Sequence, residues 1–156
     1  MGEIKLEKLV TSKDRVDYWF STTEDLKCFF RMPMHMFIQY DRCIENIPES
    51  ILVIPFLGNV MQIAWLVNAE VFANKVDATF YRSLQRLRDA YQKMYPNCTL
   101  GGTLLAEQED NKAQTSAKSA QMYTGGMDAV TTFIRHAEKR PLLILEYGFY
   151  QDALVG

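Results

Sequence analysis

The sequence predicts an α+β module at residues 1–107, followed from residue 119 by the first βαβ unit of an α/β domain. Apolar and polar residues alternate over the first forty positions, which is typical of strands. Residues 77–95 carry apolar side chains at helical spacing. A polar stretch at 108–118 lacks any apolar period. We therefore expect two domains, residues 1–107 and 119–156, joined by a linker at 108–118.

The first module is predicted to begin with an antiparallel meander of three or four strands over residues 3–42. The segments 4–10 and 16–21 alternate well, with a polar turn between them. Two further candidate strands are 26–31 and 36–40, separated by a bend that contains a proline.

Two helices are expected after the meander. Residues 51–67 contain no charged residue, and their length is at the lower limit for a span of the bilayer. Pro55 and Gly58 interrupt this stretch, so a buried helix bent at Pro55 is favoured over a membrane span. Residues 77–95 form the clearest helical pattern, which Asp77 begins.

Three features of this module leave a choice between ligand binding and structure. Asn59 and Gln62 lie in the apolar stretch, where they either line a pocket or tie down nearby backbone. The pair Gly101-Gly102 precedes no clear helix, so a bulge or turn is favoured over phosphate binding. His35 has no second histidine and no cysteine beside it, which favours a hydrogen-bonded surface or core residue over a ligand or a base.

Composition limits the partners and the compartment. The chain has 17 Lys and Arg against 19 Asp and Glu, a net charge of −2, and no basic stripe. This argues against a nucleic-acid partner. Cys28, Cys43 and Cys98 lie far apart and form no CxxC pair, so neither a disulfide framework nor a zinc site is predicted. A reducing, cytoplasmic setting follows, and the charged N-terminus predicts no export signal.

The second part is organised around a glycine turn. Residues 119–123 predict a short strand, and Gly125-Gly126 then breaks the pattern. Apolar residues at helical spacing follow, basic residues crowd the last turns, and Pro141 stops the helix. Residues 142–145 are a continuous apolar run, which is typical of a buried parallel strand.

The turn has the chemistry of an anion site. A glycine pair lets the backbone approach a ligand closely, and the first N–H groups of a helix have no internal partner. Thr124 adds a hydroxyl, and Asp128 can hold a Mg²⁺-bound water or cap the helix. A pyrophosphate fits such a site. A structural turn, which needs no ligand, and some other anion site are the alternatives.

The segment Met122-Tyr123-Thr124-Gly125-Gly126-Met127-Asp128-Ala129 resembles the Ser-Gly-Gly-x-Asp-Ser loop of the PP-loop (N-type) ATP pyrophosphatases. That family binds ATP with its phosphates on this loop, releases pyrophosphate and adenylates an oxygen of the acceptor. Thr124 keeps the hydroxyl of the first serine, whereas Ala129 loses that of the last, which affects catalysis more than nucleotide fit. The resemblance implies an ATP site at Tyr123, Thr124, Gly125, Gly126, Met127, Asp128 and Ala129, with Mg²⁺ at Asp128.

The resemblance also implies a function for the intact protein. It is expected to be an ATP-dependent adenylating enzyme that forms AMP and pyrophosphate while activating a carboxylate or carbonyl oxygen of a small-molecule acceptor. Its layout resembles the branch of the family that acts on a muramoyl-dipeptide precursor, which implies cell-wall precursor metabolism. A doubly wound sheet needs several more strands, so we expect this chain to be a truncated, inactive N-terminal part. The alternative is a non-catalytic module that binds a nucleotide or a partner chain and dimerises through an exposed sheet edge.

Overall fold

A computed structural model describes residues 2–112 and 119–145. The chain divides into two compact units, Met1–Asn111 and Lys112–Gly156, called here the N-terminal and C-terminal units. The fold is of the α+β class, with a mixed five-stranded sheet and several helices. Residues 113–118 of the expected linker and 146–156 of the expected second domain lie outside the described residues.

The sheet of the N-terminal unit contains the predicted meander and extends beyond it. Strand β1, Glu3–Thr11, pairs antiparallel with β2, Arg15–Thr22, which pairs antiparallel with β3, His35–Gln39. On its other side β1 pairs in parallel with β4, Glu70–Asp77, and β4 pairs in parallel with β5, Thr103–Glu109. The strand order is β3-β2-β1-β4-β5, so the sheet is mixed.

Of the four candidate strands of the meander, the third, residues 26–31, is wrong. A 3₁₀-helix occupies Glu24–Phe29, where residues 26–31 were a candidate strand. Its amides bond locally, Leu26 N to Thr23 O and Phe30 N to Lys27 O, both at 3.1 Å. These bonds span three residues, so the segment satisfies its backbone without a partner strand.

The expected bent helix is two helices, α1 at Glu49–Leu52 and α2 at Ile54–Val67. The break falls at Val53 and not at Pro55, which lies in the first turn of α2. A proline costs little there because the first N–H groups of a helix have no internal partner. Within residues 2–112 and 119–145, no helix has both the length and the apolar character needed to cross a membrane.

Helix α3, Ala78–Met94, begins where the sequence predicted. Asp77 is its N-cap, and its carboxylate accepts a hydrogen bond from Phe80 N at 2.8 Å. This bond satisfies one of the free donors at the start of the helix. The strand β4 therefore passes directly into α3 at the capping residue.

The core lies between one face of the sheet and the helices. Ile4 on β1, Tyr18 on β2 and Val71 on β4 are fully buried, as are Phe56 and Leu57 on α2. The Tyr18 hydroxyl donates to Leu52 O at 2.6 Å, which ties the sheet to α1. Residues that alternate with these on β1 and β2 are largely exposed, so the other face of the sheet is open within the described part of this unit.

The end of α2 contacts the glycine pair that precedes β5. Asn68 ends α2 in the left-handed conformation with φ of 55°, and its Oδ1 accepts from Gly102 N at 2.8 Å. Gly102 itself has φ of +73°, and Gly101 N donates to Trp65 O at 2.9 Å. The second glycine pair is therefore a structural turn, as the sequence favoured.

The described part of the C-terminal unit is a βαβ unit. Strand β6, Ala120–Met122, pairs in parallel with β7, Leu142–Ile144, on either side of α4, Met127–His136. A 3₁₀ turn at Ala137–Lys139 follows α4 before Arg140 takes a left-handed conformation. The expectation of a buried strand is wrong, because Leu142 is 68% exposed and Ile144 is 43% exposed.

We expect Gly102→Ala to destabilise the N-terminal unit by roughly 1–3 kcal/mol. The new Cβ would lie 2.5 Å from Ala64 O and 2.7 Å from Ala69 O, at a positive φ that alanine rarely adopts. Gly58→Ala is the matched control, since Gly58 is exposed in α2 and a Cβ there meets nothing within 4 Å. It should stabilise by about 0.5–1 kcal/mol through helix propensity. Urea unfolding measures the free energy of unfolding of both variants. Equal changes in the two would contradict the structural role assigned to Gly102.

Candidate functional site

The β6–α4 loop, residues 123–126, has an open outer side. Gly125 has φ of +77°, in the left-handed region that favours glycine. A Cβ built at Gly125 would meet no atom within 4 Å, and at Gly126 the nearest atom is Thr124 Oγ1 at 3.5 Å. The backbone of this loop is therefore accessible, and any side chain at these two positions would occupy the space in front of it.

Helix α4 starts without a side-chain cap. Its N-cap is Gly126, which is extended with φ of −70° and ψ of 162°, and no side-chain hydrogen bond caps the helix. Gly126 O accepts the first helical bond, from Val130 N at 3.0 Å. The N–H groups of the first turn lack partners inside the helix, and the dipole places positive charge at this end. Together these features favour an anion.

Hydrogen bonds to both neighbouring elements hold the loop in place. Tyr123 N donates to Ile144 O on β7 at 2.8 Å. The Gln121 side chain, from β6, donates through Nε2 to Ala129 O in the first turn of α4 at 2.7 Å. The rings of Tyr123 and Phe133 meet edge to face with centroids 6.1 Å apart. The loop is thus fixed from β6, β7 and α4.

Sequence reasoning missed Gln121. A glutamine in a short strand ordinarily faces solvent, so the residue type alone does not indicate a structural contact. The strand alternation does carry one, because it places Gln121 on the same face as Tyr123, away from Met122. Only the structure shows that this face meets the start of α4.

The seven residues assigned to the ATP site lie together, since they run through the loop into the first turn of α4. Tyr123 and Ala129 are half-buried, while residues 124–128 are exposed. Asp128 belongs to the first turn and does not cap the helix, so that alternative is wrong. The charge of its carboxylate suits the positive end of α4.

Among the described residues, no three His, Cys, Asp or Glu side chains lie close enough together to hold a metal ion. These residues therefore form no magnesium site made only of protein ligands. Asp128 offers one carboxylate. Mg²⁺ in phosphate-transfer sites is commonly held by one or two carboxylates together with water and substrate phosphates. Asp128 fits that mode of binding and no other.

A second cluster of polar and aromatic side chains lies on the open face of the five-stranded sheet. Arg15 Nε and Nη2 donate to the two carboxylate oxygens of Asp17 at 2.8 and 2.7 Å. His35 Nε2 lies 2.8 Å from Asp17 Oδ1, and its ring stacks on Trp19 with centroids 4.0 Å apart. The Arg15 guanidinium also lies 3.8 Å from the centroid of the Phe37 ring.

In this β2–β3 cluster (Arg15, Asp17, Trp19, His35 and Phe37), His35 is hydrogen-bonded, as the sequence favoured. Its partners come from a neighbouring strand, through the register that sets Trp19 opposite His35. The hydrogen bonds from Arg15, and secondarily from His35, lower the pKa of the Asp17 carboxyl to about 2. Arg15 and His35 both bond to the Asp17 carboxylate, which is the arrangement of a structural hydrogen-bond and ion-pair network.

Comparison with protein-family models, with curated proteins and with solved structures finds no match for this chain. The resemblance of the β6–α4 loop to the PP-loop family therefore depends on the sequence motif.

We expect the free energy of unfolding to fall as the pH is lowered from about 4 to about 2, with part of this fall absent in Asp17→Asn. The folded-state pKa of Asp17 is below the ordinary value of 3.8. Its ionised form therefore stabilises the folded chain above that value, and this stabilisation is lost as the pH falls through about 2. Urea unfolding of both chains at several pH values measures the difference. A difference that stayed constant from pH 6 down to pH 2 would contradict this assignment.

Proposed function

We propose that the β6–α4 loop binds the phosphates of ATP, and that the chain acts as part of an ATP-dependent adenylating enzyme of the PP-loop type. The observation that carries the proposal is the uncapped start of α4 beside two open glycines. We infer ATP, and not another anion, from the resemblance of residues 122–129 to the PP-loop motif.

The open glycines beside the uncapped start of α4, and not the missing cap alone, favour this proposal over a purely structural turn, since α1 and α2 also begin without a side-chain cap. Glycine is a common N-cap residue, but it supplies no oxygen to a first-turn N–H. Here Gly126 is the N-cap and Asp128, two residues later, makes no capping bond. The first-turn donors are consequently available to phosphate oxygens, which suit both the donors and the dipole.

Each residue of the loop has a role in this proposal. The Thr124 hydroxyl and the N–H groups at 126–128 donate to the β- and γ-phosphates, while Asp128 approaches them through Mg²⁺. Without the metal, its negative charge would repel the nucleotide. The acceptor oxygen forms a bond to the α-phosphorus as the bond to the bridging oxygen breaks, and pyrophosphate leaves with that electron pair. Fixed dipoles of the loop stabilise the charge that develops on this leaving group.

The affinity of the isolated site is expected to be weak. Residues 119–130 contain no Lys or Arg, and Arg135 lies at the other end of α4, about 12 Å along the helix. Backbone donors, one hydroxyl, a helix dipole and one carboxylate acting through Mg²⁺ then supply the attraction. Ala129 also lacks the hydroxyl that the family has at this position. We therefore expect a Kd for ATP–Mg²⁺ on the order of 0.1–1 mM.

Calorimetric titration of ATP–Mg²⁺ tests the proposal. We expect binding to the native chain and its loss in Gly126→Trp, because the indole would fill the space in front of the loop. Thr132→Trp is the matched control, since it puts the same side chain on an exposed position of α4, beyond the first turn, and should retain binding. Binding unchanged by Gly126→Trp, or no binding in a folded native chain, would contradict the proposal.

A second candidate function is a non-catalytic module that self-associates, and the exposed apolar surface of the C-terminal unit favours it. The large apolar side chains that are at least a third exposed in the described part of this unit come from β6, α4, β7 and the residue after β7: Met122, Met127, Ile134, Leu142, Leu143, Ile144 and Leu145. Exposed apolar surface commonly marks interaction sites.

Sedimentation equilibrium tests this second candidate. We expect a concentration-dependent dimer that Leu142→Glu weakens by about tenfold or more, since a charge would have to be buried at the contact. Met32→Glu is the control, because Met32 is 75% exposed in the N-terminal unit. A monomer at all concentrations, or equal effects of the two variants, would remove this candidate.

A further inference from the structure

The N-terminal unit contains a cavity of about 410 Å³. It lies between α2, the end of α3 and the segment 95–100 that leads to β5. The side chains used in the argument are Gln62, Trp65, Leu66, Tyr91, Tyr95 and Cys98, which all line it. Its volume is within the range of small-molecule sites, about 300–1,000 Å³. The sequence leaves pocket lining and backbone bonding open for two amides: Gln62 lines this cavity, whereas Asn59 bonds back to Pro55 O at 2.8 Å.

We propose that this cavity binds an uncharged small molecule with an aromatic ring. This is a function of the N-terminal unit, beyond the proposed binding of ATP and independent of it. Three of the lining residues are aromatic, namely Trp65, Tyr91 and Tyr95. Aromatic rings pack against one another in offset or edge-to-face geometry, and Trp65 and Tyr91 already meet in this way with centroids 6.2 Å apart.

The residues that line the cavity indicate the charge of its ligand. No Lys, Arg, Asp or Glu is among the residues that line the cavity. A charged ligand would lose hydration without gaining an ion pair, which is costly, so a neutral ligand is favoured. The Gln62 amide and the tyrosine hydroxyls can orient it, in the manner of the few polar groups usual in such pockets.

The cavity is held in shape by hydrogen bonds to its loop wall. The side chain of Gln92 accepts from Leu100 N at 3.0 Å and donates to Cys98 O at 2.5 Å. Gly101 N donates to Trp65 O, which fixes the next residue of the same segment against α2. Trp65 is almost fully buried, so one wall belongs to the core. A ligand therefore meets a preformed site and does not bear the cost of ordering it.

The three cysteines provide a test within one molecule. Cys28, Cys43 and Cys98 are all free and exposed, and of these Cys98 lines the cavity. We take N-phenyl-1-naphthylamine, which is uncharged and aromatic, as the probe. Alkylation by iodoacetamide is followed at each cysteine by peptide mass spectrometry, with and without the probe. We expect the probe to slow alkylation at Cys98 by about tenfold at saturation and to leave Cys28 and Cys43 unchanged.

Two variants separate cavity binding from adsorption elsewhere. Leu66→Arg puts a charge at the rim, where Leu66 is 65% exposed, and Tyr95→Ala removes one aromatic wall. Each should weaken protection of Cys98 by about threefold to tenfold. Met32→Arg, at an exposed site away from the lining residues, should leave protection intact. Circular dichroism confirms that the chains are folded.

The proposal is overturned if the probe slows alkylation equally at all three cysteines or at none of them. It is also overturned if both variants leave protection of Cys98 unchanged. Protection by tetramethylammonium, but not by the neutral probe, would also overturn it, because the aromatic walls would then be recognising a cation. Selective protection that Leu66→Arg or Tyr95→Ala reduces supports it.

Discussion

The first N–H groups of α4 have no partner inside the helix, and Gly126 brings no side-chain oxygen to replace one. Every feature of the β6–α4 loop is consistent with leaving these donors open. Gly125 turns the chain through a positive φ, and neither glycine places a side chain in front of the backbone. Gln121 and Tyr123 hold the loop from behind, through Ala129 O and Ile144 O. A rigid loop with free donors needs little reorganisation to accept an anion, which is the physical basis of the proposed phosphate site.

The two units of the chain differ in how well they bury apolar surface. The N-terminal unit covers one face of its sheet with α1, α2 and α3. Its core joins buried residues of β1, β2, β4 and β5 to those of the helices, such as Tyr18 and Phe56. In the C-terminal unit, the described strands expose most of their apolar side chains. Burial of such surface is the main favourable term in folding and association. The exposed apolar residues of the C-terminal unit therefore contribute little to its own core, but they are available to be buried against a partner chain.

The sequence predicted correctly those elements that are determined by residues adjacent in the chain. Asp77 was recognised as the start of α3 because capping depends on one residue and the turn after it. The glycine loop was located for the same reason, and its neighbours follow it directly in the chain. Pairings between distant segments were missed. The parallel pairing of β4 with β1 and β5 leaves no mark on either strand alone, and the contact of His35 with Asp17 depends on strand register. Apolar composition also misled, since residues 26–29 of the candidate strand 26–31 belong to the 3₁₀-helix Glu24–Phe29.

The most direct test of the phosphate site is a ¹H–¹⁵N correlation spectrum of the chain recorded during titration with ATP–Mg²⁺, and separately with pyrophosphate–Mg²⁺. The proposed site predicts the largest shifts at the amides of Gly125, Gly126, Met127 and Asp128, in the same direction for both ligands, because both present phosphate oxygens to the same donors. Shifts centred elsewhere, or none at these four amides at millimolar ligand, would contradict the site and leave the glycine pair as a structural turn.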